Sequence, residues 1–170
     1  MNRLPEPIAT IRVFSRPRSH RGVLQAGGVL LPCTLGSRGA TWAKREGDGM
    51  TPRGAMRVVD WYAPRPIPRP HRRITPALGW CDDPRHPAYN RPVSLPCRAS
   101  HERMRREDGK YDVVGVLDWN LRPRRRGRGS AIFLHINDDA RGTEGCVALR
   151  RADMMRLLPR LGRAVRVVVY

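Results

Sequence analysis

A histidine and a cysteine stand eleven positions apart in the last quarter of the chain, His135 and Cys146. A free thiol has a pKa of about 8.5 and is largely protonated at neutral pH. A neighbouring imidazole can accept that proton, and the imidazolium that forms stabilises the thiolate. The two residues therefore have the composition of an activated thiol nucleophile. The competing interpretation is structural, with His135 a satisfied core histidine and Cys146 a small buried residue.

The residues just before Cys146 are suited to holding a reacting carbonyl. Gly145 allows positive φ and close approach of a substrate, and it leaves backbone N–H groups near the cysteine to face an oxyanion. Thr143 either donates a hydrogen bond at the site or shapes the turn. A helix beginning soon after Cys146 would lower the thiol pKa further through its N-terminus.

Two predicted strands position this pair. Residues 111–120 and 130–136 are short, β-branched segments that flank an arginine-rich loop. His135 lies near the end of the second strand, which fixes its position. The loop from Asn137 to Gly145 is short enough to fold Cys146 back to within hydrogen-bond reach.

The rest of the chain predicts a mostly β domain, a sandwich or barrel-like mixed sheet with one or two helices, over residues 1–170. No βαβα alternation supports a Rossmann fold. Alternate prolines from Pro64 to Pro70 predict an extended loop or flap, and residues 79–96 a loop-rich segment. Further strands are predicted over 8–14, 22–31, 55–62 and 165–170, helical turns capped by Ser100 over 100–106, and a helix over 149–161 that ends before Gly162.

The net charge is +18, and among 33 basic residues only Lys44 and Lys110 are lysine. Two interpretations compete for this excess. It provides contact with an anionic polymer or nucleic acid, or it is a composition bias in which arginine replaces lysine. The arginines are scattered along the chain, and the densest run, Arg122 to Arg128, is predicted to be a solvated loop.

The four cysteines include no CxxC pair, which argues against a zinc ribbon, and neither a metal nor a cofactor is predicted. Cys81 and Cys97 either form a disulfide or, like Cys33, are small buried hydrophobic residues. No apolar run reaches the roughly 18 residues of a membrane span. The first residues show no apolar signal-peptide segment.

Several blocks together resemble the YkuD-type L,D-transpeptidase catalytic domain of bacterial cell-wall enzymes. The family carries a histidine, then a Ser/Thr-x-Gly-Cys block, matched by His135 and by Thr143-Glu144-Gly145-Cys146-Val147. An upstream Gly-x-x-x-Thr-Pro-x-Gly element is matched by Gly47 and by Thr51-Pro52-Arg53-Gly54. The resemblance covers roughly residues 8–170 and extends to blocks typical of one branch of the family, at 79–84, 89–91, 111–114 and 129–135.

The resemblance implies a mostly β catalytic fold and acyl transfer on peptidoglycan stem peptides. Cys146 would form a thioester at diaminopimelate and an amine would resolve it, while water as acceptor would give carboxypeptidase activity. His135 would be the base, oriented by a backbone carbonyl. Ala148 and Ile136 depart from residues common at their positions, which leaves donor specificity open. Weaker substrate-binding candidates are Arg141, Arg150, Trp80 and Tyr89.

The resemblance also implies a periplasmic or cell-envelope location, with the cytoplasm as the alternative because no signal peptide is visible. Two other functions stay open: a catalytically inert member of the same fold, and a basic protein that binds nucleic acid or another anionic polymer. The sequence does not indicate the oligomeric state.

Overall fold

A computed structural model describes residues 6–139 and 141–170. These residues form fourteen strands, the helix α1 (Arg151–Leu157) and a 3-10 helix (Leu158–Arg160). The strands are β1 (Ile8–Ser15), β2 (Arg21–Ala26), β3 (Val29–Thr34), β4 (Ala40–Thr41), β5 (Thr51–Pro52), β6 (Gly54–Ala63), β7 (Arg72–Arg73), β8 (Leu78–Cys81), β9 (Arg91–Ser94), β10 (His101–Arg103), β11 (Val114–Leu117), β12 (Phe133–Ile136), β13 (Val147–Leu149) and β14 (Leu161–Val169).

The main sheet closes on itself into a mixed barrel. Its strand order is β11-β12-β13-β3-β2-β1-β14-β6-β7, and an additional pairing joins β11 to β6. Pairs β1–β14 and β12–β13 are parallel, whereas β1–β2 and β6–β14 are antiparallel. Closure pairs the backbone groups that an open sheet would leave free. The predicted mostly β, barrel-like mixed sheet is confirmed.

The barrel interior is filled by aliphatic side chains that alternate along the strands. In β1, Ile11 and Val13 are fully buried while Arg12 between them is exposed. This period of two is the pattern of a strand with one face on a core. Aromatic residues are few, so valine, leucine and isoleucine supply most of the barrel core.

The predicted strand over 22–31 is wrong in its bounds, because the segment is a hairpin of β2 and β3. Ala26 pairs with Val29 across a two-residue turn. Gly27 and Gly28 have φ of 51° and 82°. Two successive positive φ values match the twist of a two-residue hairpin turn, which glycine adopts without steric cost.

The predicted helix over 149–161 is too long at both ends. Leu149 lies in β13, where it pairs with Ile136. Pro159 has no N–H to donate to the preceding turn, so α1 gives way to the 3-10 helix. Leu161 and Gly162 then belong to β14, and Leu161 pairs with Ile8.

The helical turns predicted for 100–106 are also wrong. Residues 101–103 form β10, which pairs antiparallel with β8, and β9 pairs on the other side of β8. The segment predicted to be loop-rich thus contributes two strands to a small three-stranded sheet. Cross-strand pairing has overridden a weak local helix preference.

The prediction of loops at the prolines and at the arginine run is confirmed. The Arg69 guanidinium fixes the proline loop by donating to the Leu158 and Gly162 carbonyls and by lying over the Trp61 ring at 4.3 Å. All four cysteines are free thiols, so Cys81 and Cys97 do not form a disulfide. In the described ranges, no helix has the length and apolar character needed to cross a bilayer.

Candidate active site

The parallel pairing of β12 and β13 brings Cys146 and His135 to one cavity. Leu134 pairs with Val147 and His135 with Ala148, so Cys146 lies beside Phe133 at the start of β13. The Phe133 N–H donates to Cys146 Sγ at 3.4 Å. Cys146 and His135 both line the wall of a cavity of about 360 Å³. The loop between them therefore brings both residues to one cavity. The predicted hydrogen bond between them is not present among the described residues, where Cys146 Sγ instead contacts the Ala131 carbonyl and the Phe133 N–H.

The hydrogen bond of His135 fixes its tautomer. Nδ1 lies 2.7 Å from the Ile136 carbonyl oxygen, which can only accept. Nδ1 must therefore carry the proton, which leaves the Nε2 lone pair to accept another. The Tyr111 ring packs edge-on against the imidazole, with 5.2 Å between ring centroids. A backbone carbonyl thus orients the histidine.

The Cys146 thiol is held inside the wall of the cavity. Its side chain is 5% exposed, and Sγ donates to the Ala131 carbonyl at 3.2 Å. Burial raises the pKa of the Cys146 thiol, and the negative charge of Glu102 raises it further. The Phe133 N–H and the Lys44 ammonium act in the opposite direction. At neutral pH the sulfur is protonated.

Cys146 and His135 are therefore a neutral pair at rest. Burial lowers the pKa of His135 to about 4, and the positive charges of Lys110 and Arg106 contribute. A neutral imidazole is a competent proton acceptor at pH 7. The predicted help from a helix N-terminus is absent, since β13 separates Cys146 from the start of α1 at Arg151.

Two threonine hydroxyls fix the backbone at the cysteine. Thr143 Oγ1 donates to the Cys146 carbonyl at 2.8 Å, and Thr51 Oγ1 donates to the same oxygen at 3.3 Å. Thr143 also accepts the Gly145 N–H at 3.2 Å, so that N–H is not available to an oxyanion. In the part of the chain that the structure describes, the Cys146 N–H makes no hydrogen bond.

Gly145 has a φ of 143°, a conformation that side chains disfavour. A Cβ at this position would lie 2.9 Å from the Met50 carbonyl and 3.3 Å from Lys44 Nζ. Glycine is required here by both backbone conformation and space. The crowding comes from the protein interior, and close approach of a substrate at Gly145 stays a prediction.

The cavity is acidic although the chain is strongly basic. Its wall carries four carboxylates, Glu46, Asp82, Glu102 and Glu144. The two cationic side chains of the wall are each paired with an aspartate outside it. Arg106 binds Asp108 at 2.5 Å and Lys110 binds Asp139 at 2.7 Å. Asp82 Oδ1 is buried without a hydrogen-bond partner. The interior of the site therefore favours a cationic group.

The aromatic candidates Trp80 and Tyr89 support the site from behind. They are 4% and 2% exposed, and neither lines the cavity, so a groove-wall role does not fit their burial. The Trp80 ring packs edge-on against Phe133 at 5.2 Å. The Tyr89 hydroxyl donates to Glu46, which also accepts the Ser130 hydroxyl. Both residues hold elements that form the wall.

The arginine candidates Arg141 and Arg150 are exposed. Arg141 adjoins the cavity through its backbone, where its carbonyl accepts the Asn137 side-chain amide at 2.8 Å. Arg150 lines a different cavity, together with Arg21 and Cys33. The structure thus does not bring the Arg150 side chain to the wall that carries Cys146.

Sequence reasoning missed three residues of the site. Tyr111 is buried against His135 and donates to Glu102 at 2.5 Å. Glu102 was placed in a predicted helical segment, which hid its position on β10 facing the cavity. Lys44 carried one signal in the sequence, as one of two lysines among many arginines.

Two comparisons relate the chain to known proteins. The YkuD family model, described as the L,D-transpeptidase catalytic domain, matches residues 11–169. A comparison with curated proteins gives no match. Among solved structures, the chain is similar to Bd1075 of Bdellovibrio bacteriovorus, with 14% sequence identity and a TM-score of 0.46. The alignment covers 98% of this chain and 51% of the other, so the chain spans about half the length of that structure.

Proposed function

Because the chain belongs to the L,D-transpeptidase catalytic domain family, we propose that it is a cysteine-dependent acyltransferase acting on peptidoglycan stem peptides. One observation carries this proposal. Cys146 and His135 line the same cavity, and the Nδ1 of His135 is committed to the Ile136 carbonyl, which leaves Nε2 as the proton acceptor.

The first half-reaction forms a thioester. The Cys146 thiol breaks its hydrogen bond to the Ala131 carbonyl and gives its proton to His135 Nε2. Sγ then attacks the carbonyl carbon at the L-centre of diaminopimelate. The Cys146 N–H is placed to stabilise the oxyanion that develops. His135 then gives its proton to the leaving amine, the C–N bond breaks, and the terminal D-amino acid departs.

The second half-reaction regenerates the thiol. An amine of a second stem peptide attacks the thioester carbon and gives a proton to His135 Nε2. The C–S bond breaks, and the sulfur recovers that proton. With water as the nucleophile, the same steps give carboxypeptidase activity. One histidine serves both halves as base and then as acid, which suits its burial and its single available nitrogen.

The acidic wall supports a donor that carries an ammonium group. Diaminopimelate brings both an ammonium and a carboxylate on its side chain. Glu102 has a single neutral donor, Tyr111, and Asp82 Oδ1 has no partner. Burial raises the pKa of Glu102, and the hydrogen bond from Tyr111 and the charge of Arg106 oppose that rise. Since a desolvated carboxylate gains from a cation, Glu102 and Asp82 are the proposed contacts for that ammonium.

Mass spectrometry of the intact protein tests the proposal. Incubation with a stem tetrapeptide or a carbapenem should add one acyl group to the wild-type chain and none to Cys146→Ala. With the tetrapeptide, release of the terminal D-amino acid should accompany the adduct, whereas the carbapenem opens its ring and releases none. Binding of the peptide without an adduct would instead show an inert member of the fold and would sink the enzymatic assignment.

The proposal includes contact between the arginine-rich exterior and anionic wall polymer. The net charge of +18 supports it, because most of the basic side chains lie outside the catalytic cavity. Such binding should weaken steeply with added salt and should be unchanged in Cys146→Ala. Equal retention by nucleic acid and wall polymer would leave no preference for the wall. The substrate places the enzyme in the periplasm or cell envelope, which fractionation tests.

A further inference from the structure

Lys44 is a buried lysine next to the proposed nucleophile. Its side chain is 2% exposed, and its ammonium forms an ion pair with Asp48. Asp48 also accepts the N–H groups of Arg45 and Met50. Although burial opposes it, these hydrogen bonds hold the pKa of Asp48 below its usual value. The ion pair is therefore anchored to a tight backbone turn.

Two glycines make room for this side chain. A Cβ on Gly129 would lie 3.0 Å from Cγ and Cε of Lys44, and a Cβ on Gly145 would lie 3.3 Å from Nζ. The lysine stem thus passes Gly129 and ends behind the Gly145–Cys146 peptide. A planar guanidinium is bulkier than an ammonium and would not fit this channel without displacing backbone.

The composition of the chain agrees with that constraint. Arginine occupies 31 of the 33 positions that carry lysine or arginine, and the two lysines are Lys44 and Lys110. Lys110 lines the catalytic cavity, and Lys44 lies directly behind it. Both lysines of the chain are therefore at the site, where the shape of the cationic group matters.

We propose that Lys44 is a positioning residue of the Cys146 centre, whose buried ammonium stabilises negative charge on the sulfur and on the oxyanion beside it. This inference rests on the proposed role of Cys146 as a nucleophile. The ammonium lies behind Gly145, outside the lining of the cavity, and acts on the sulfur by its charge without contacting the substrate. It offsets carboxylates that face the sulfur from other elements, Glu102 on β10 and Glu144 in the preceding loop.

The charges around the sulfur support this assignment. Glu102 and Glu144 raise the pKa of Cys146, and Lys44 lowers it, while burial is the largest cause of its rise. Arg106 and Lys110 face His135 and are each paired with an aspartate. Tyr111 is neutral, because burial raises its pKa well above the usual range. Lys44 is thus the cation that counters the carboxylates at the sulfur.

The test measures Cys146 itself and needs no peptide substrate. The rate of iodoacetamide alkylation at a fixed, mildly alkaline pH is followed by peptide mass spectrometry, with Cys97 in the same sample as an internal reference. Lys44→Met should slow alkylation of Cys146 relative to Cys97 by about tenfold, because a smaller fraction of the thiol is ionised. Asp48→Asn should speed alkylation of Cys146, because the ammonium then lacks its counter-charge.

The opposite signs separate electrostatics from damage to the fold. The matched control Arg45→Met removes an adjacent exposed charge and should leave the alkylation rate of Cys146 unchanged. An unchanged rate in Lys44→Met, or shifts of the same sign in both variants, would overturn the proposal. If Lys44→Met does not fold, the sign for Asp48→Asn decides alone. Failure of acyl transfer with the expected shifts intact would instead refute the enzymatic assignment.

Discussion

Two cavities of this protein each contain one buried cysteine, and their surroundings differ. Cys146 lines the larger cavity, of about 360 Å³, with His135 and four carboxylates. Cys33 lies on β3 and lines a cavity of about 300 Å³ with Arg21 and Arg150. The wall at Cys33 carries two exposed arginines and no histidine, whereas the wall at Cys146 carries an imidazole.

Burial acts alike on the two thiols, and their neighbours separate them. Burial raises the pKa of Cys33 to about 12 and also raises that of Cys146. Only Cys146 shares a wall with an imidazole whose Nε2 can accept a proton. A neighbouring proton acceptor, rather than burial or positive charge alone, therefore distinguishes the proposed nucleophile from a core thiol.

Replacing each cysteine is the strongest test of this contrast. Cys146→Ala should reduce stem-peptide acyl transfer by about 10⁴-fold or more, since loss of a nucleophile removes the covalent route. Cys33→Ala should retain transfer and lose only stability. Initial rates of D-amino acid release measure both. Comparable losses in the two variants would remove the functional distinction between the cavities.

The acid sensitivity of the fold should depend on the imidazole at Cys146. His135 has a folded pKa of about 4 against 6.5 for the free side chain. The neutral imidazole contributes about 3 kcal/mol to the free energy of unfolding. This contribution is complete above pH 6.5 and is lost as the pH falls toward 4. Urea unfolding at pH 7 and pH 4 measures this loss. His135→Gln should lose less than wild type or Cys33→Ala, and equal losses would contradict the assignment.

A pair of glycines compares the same change next to each thiol. A Cβ on Gly22 would lie 2.9 Å from the Phe14 carbonyl and 3.0 Å from Cys33 Sγ. Gly22→Ala should lower the unfolding free energy by about 1–3 kcal/mol and leave acyl transfer unchanged. Gly145→Ala should cost a similar amount and also reduce transfer, because φ and the Met50 carbonyl oppose it.

Thermal unfolding and initial rates separate the two glycine variants. Melting temperatures should fall in both, whereas transfer should fall in Gly145→Ala alone. Full activity in a folded Gly145→Ala protein would show that the backbone at Cys146 tolerates displacement. That result would weaken the proposed link between the Gly145 backbone and the reactivity of Cys146.

The smallest expected effect concerns the hydroxyl that anchors Cys146. Thr143→Val removes the 2.8 Å hydrogen bond to the Cys146 carbonyl and the acceptor for Gly145 N–H. We expect a loss of about 1–2 kcal/mol of unfolding free energy and a lower kcat, with KM little changed. Thr143→Ser keeps the hydroxyl and should behave as wild type. Cys33 lies inside β3, where strand pairing holds its backbone, so we expect no comparable dependence on a threonine hydroxyl.

The sequence predicted those elements whose signal lies in residues close together in the chain. The alternation of Ile11 and Val13 predicted β1, and the block from Thr143 to Cys146 identified the proposed nucleophile after His135. The turn at Gly27-Gly28 and the break at Pro159 were also readable from residue type. They were missed because longer apolar runs around them resembled single elements.

Other features depend on contacts between distant residues. Closure of the barrel through Gly115 and Trp61 joins strands far apart in the chain, and no local pattern indicates that pairing. The burial of Lys44 behind Gly145 likewise depends on a contact between residues far apart in the chain. Glu102 was misplaced because pairing with Trp80 on β8 determines its strand, whereas its own segment lacks a clear β pattern.

The strand β7 has a consequence for how the molecule behaves in concentrated solution. It adds only Arg72 and Arg73 to the margin of the main sheet, and both side chains are exposed. Arg72 forms an ion pair with Asp60, whereas a second copy approaching this margin would bring the charge of Arg73 against its own counterpart before any backbone pairing formed. The charged margin thereby disfavours strand-by-strand aggregation beside the closed barrel.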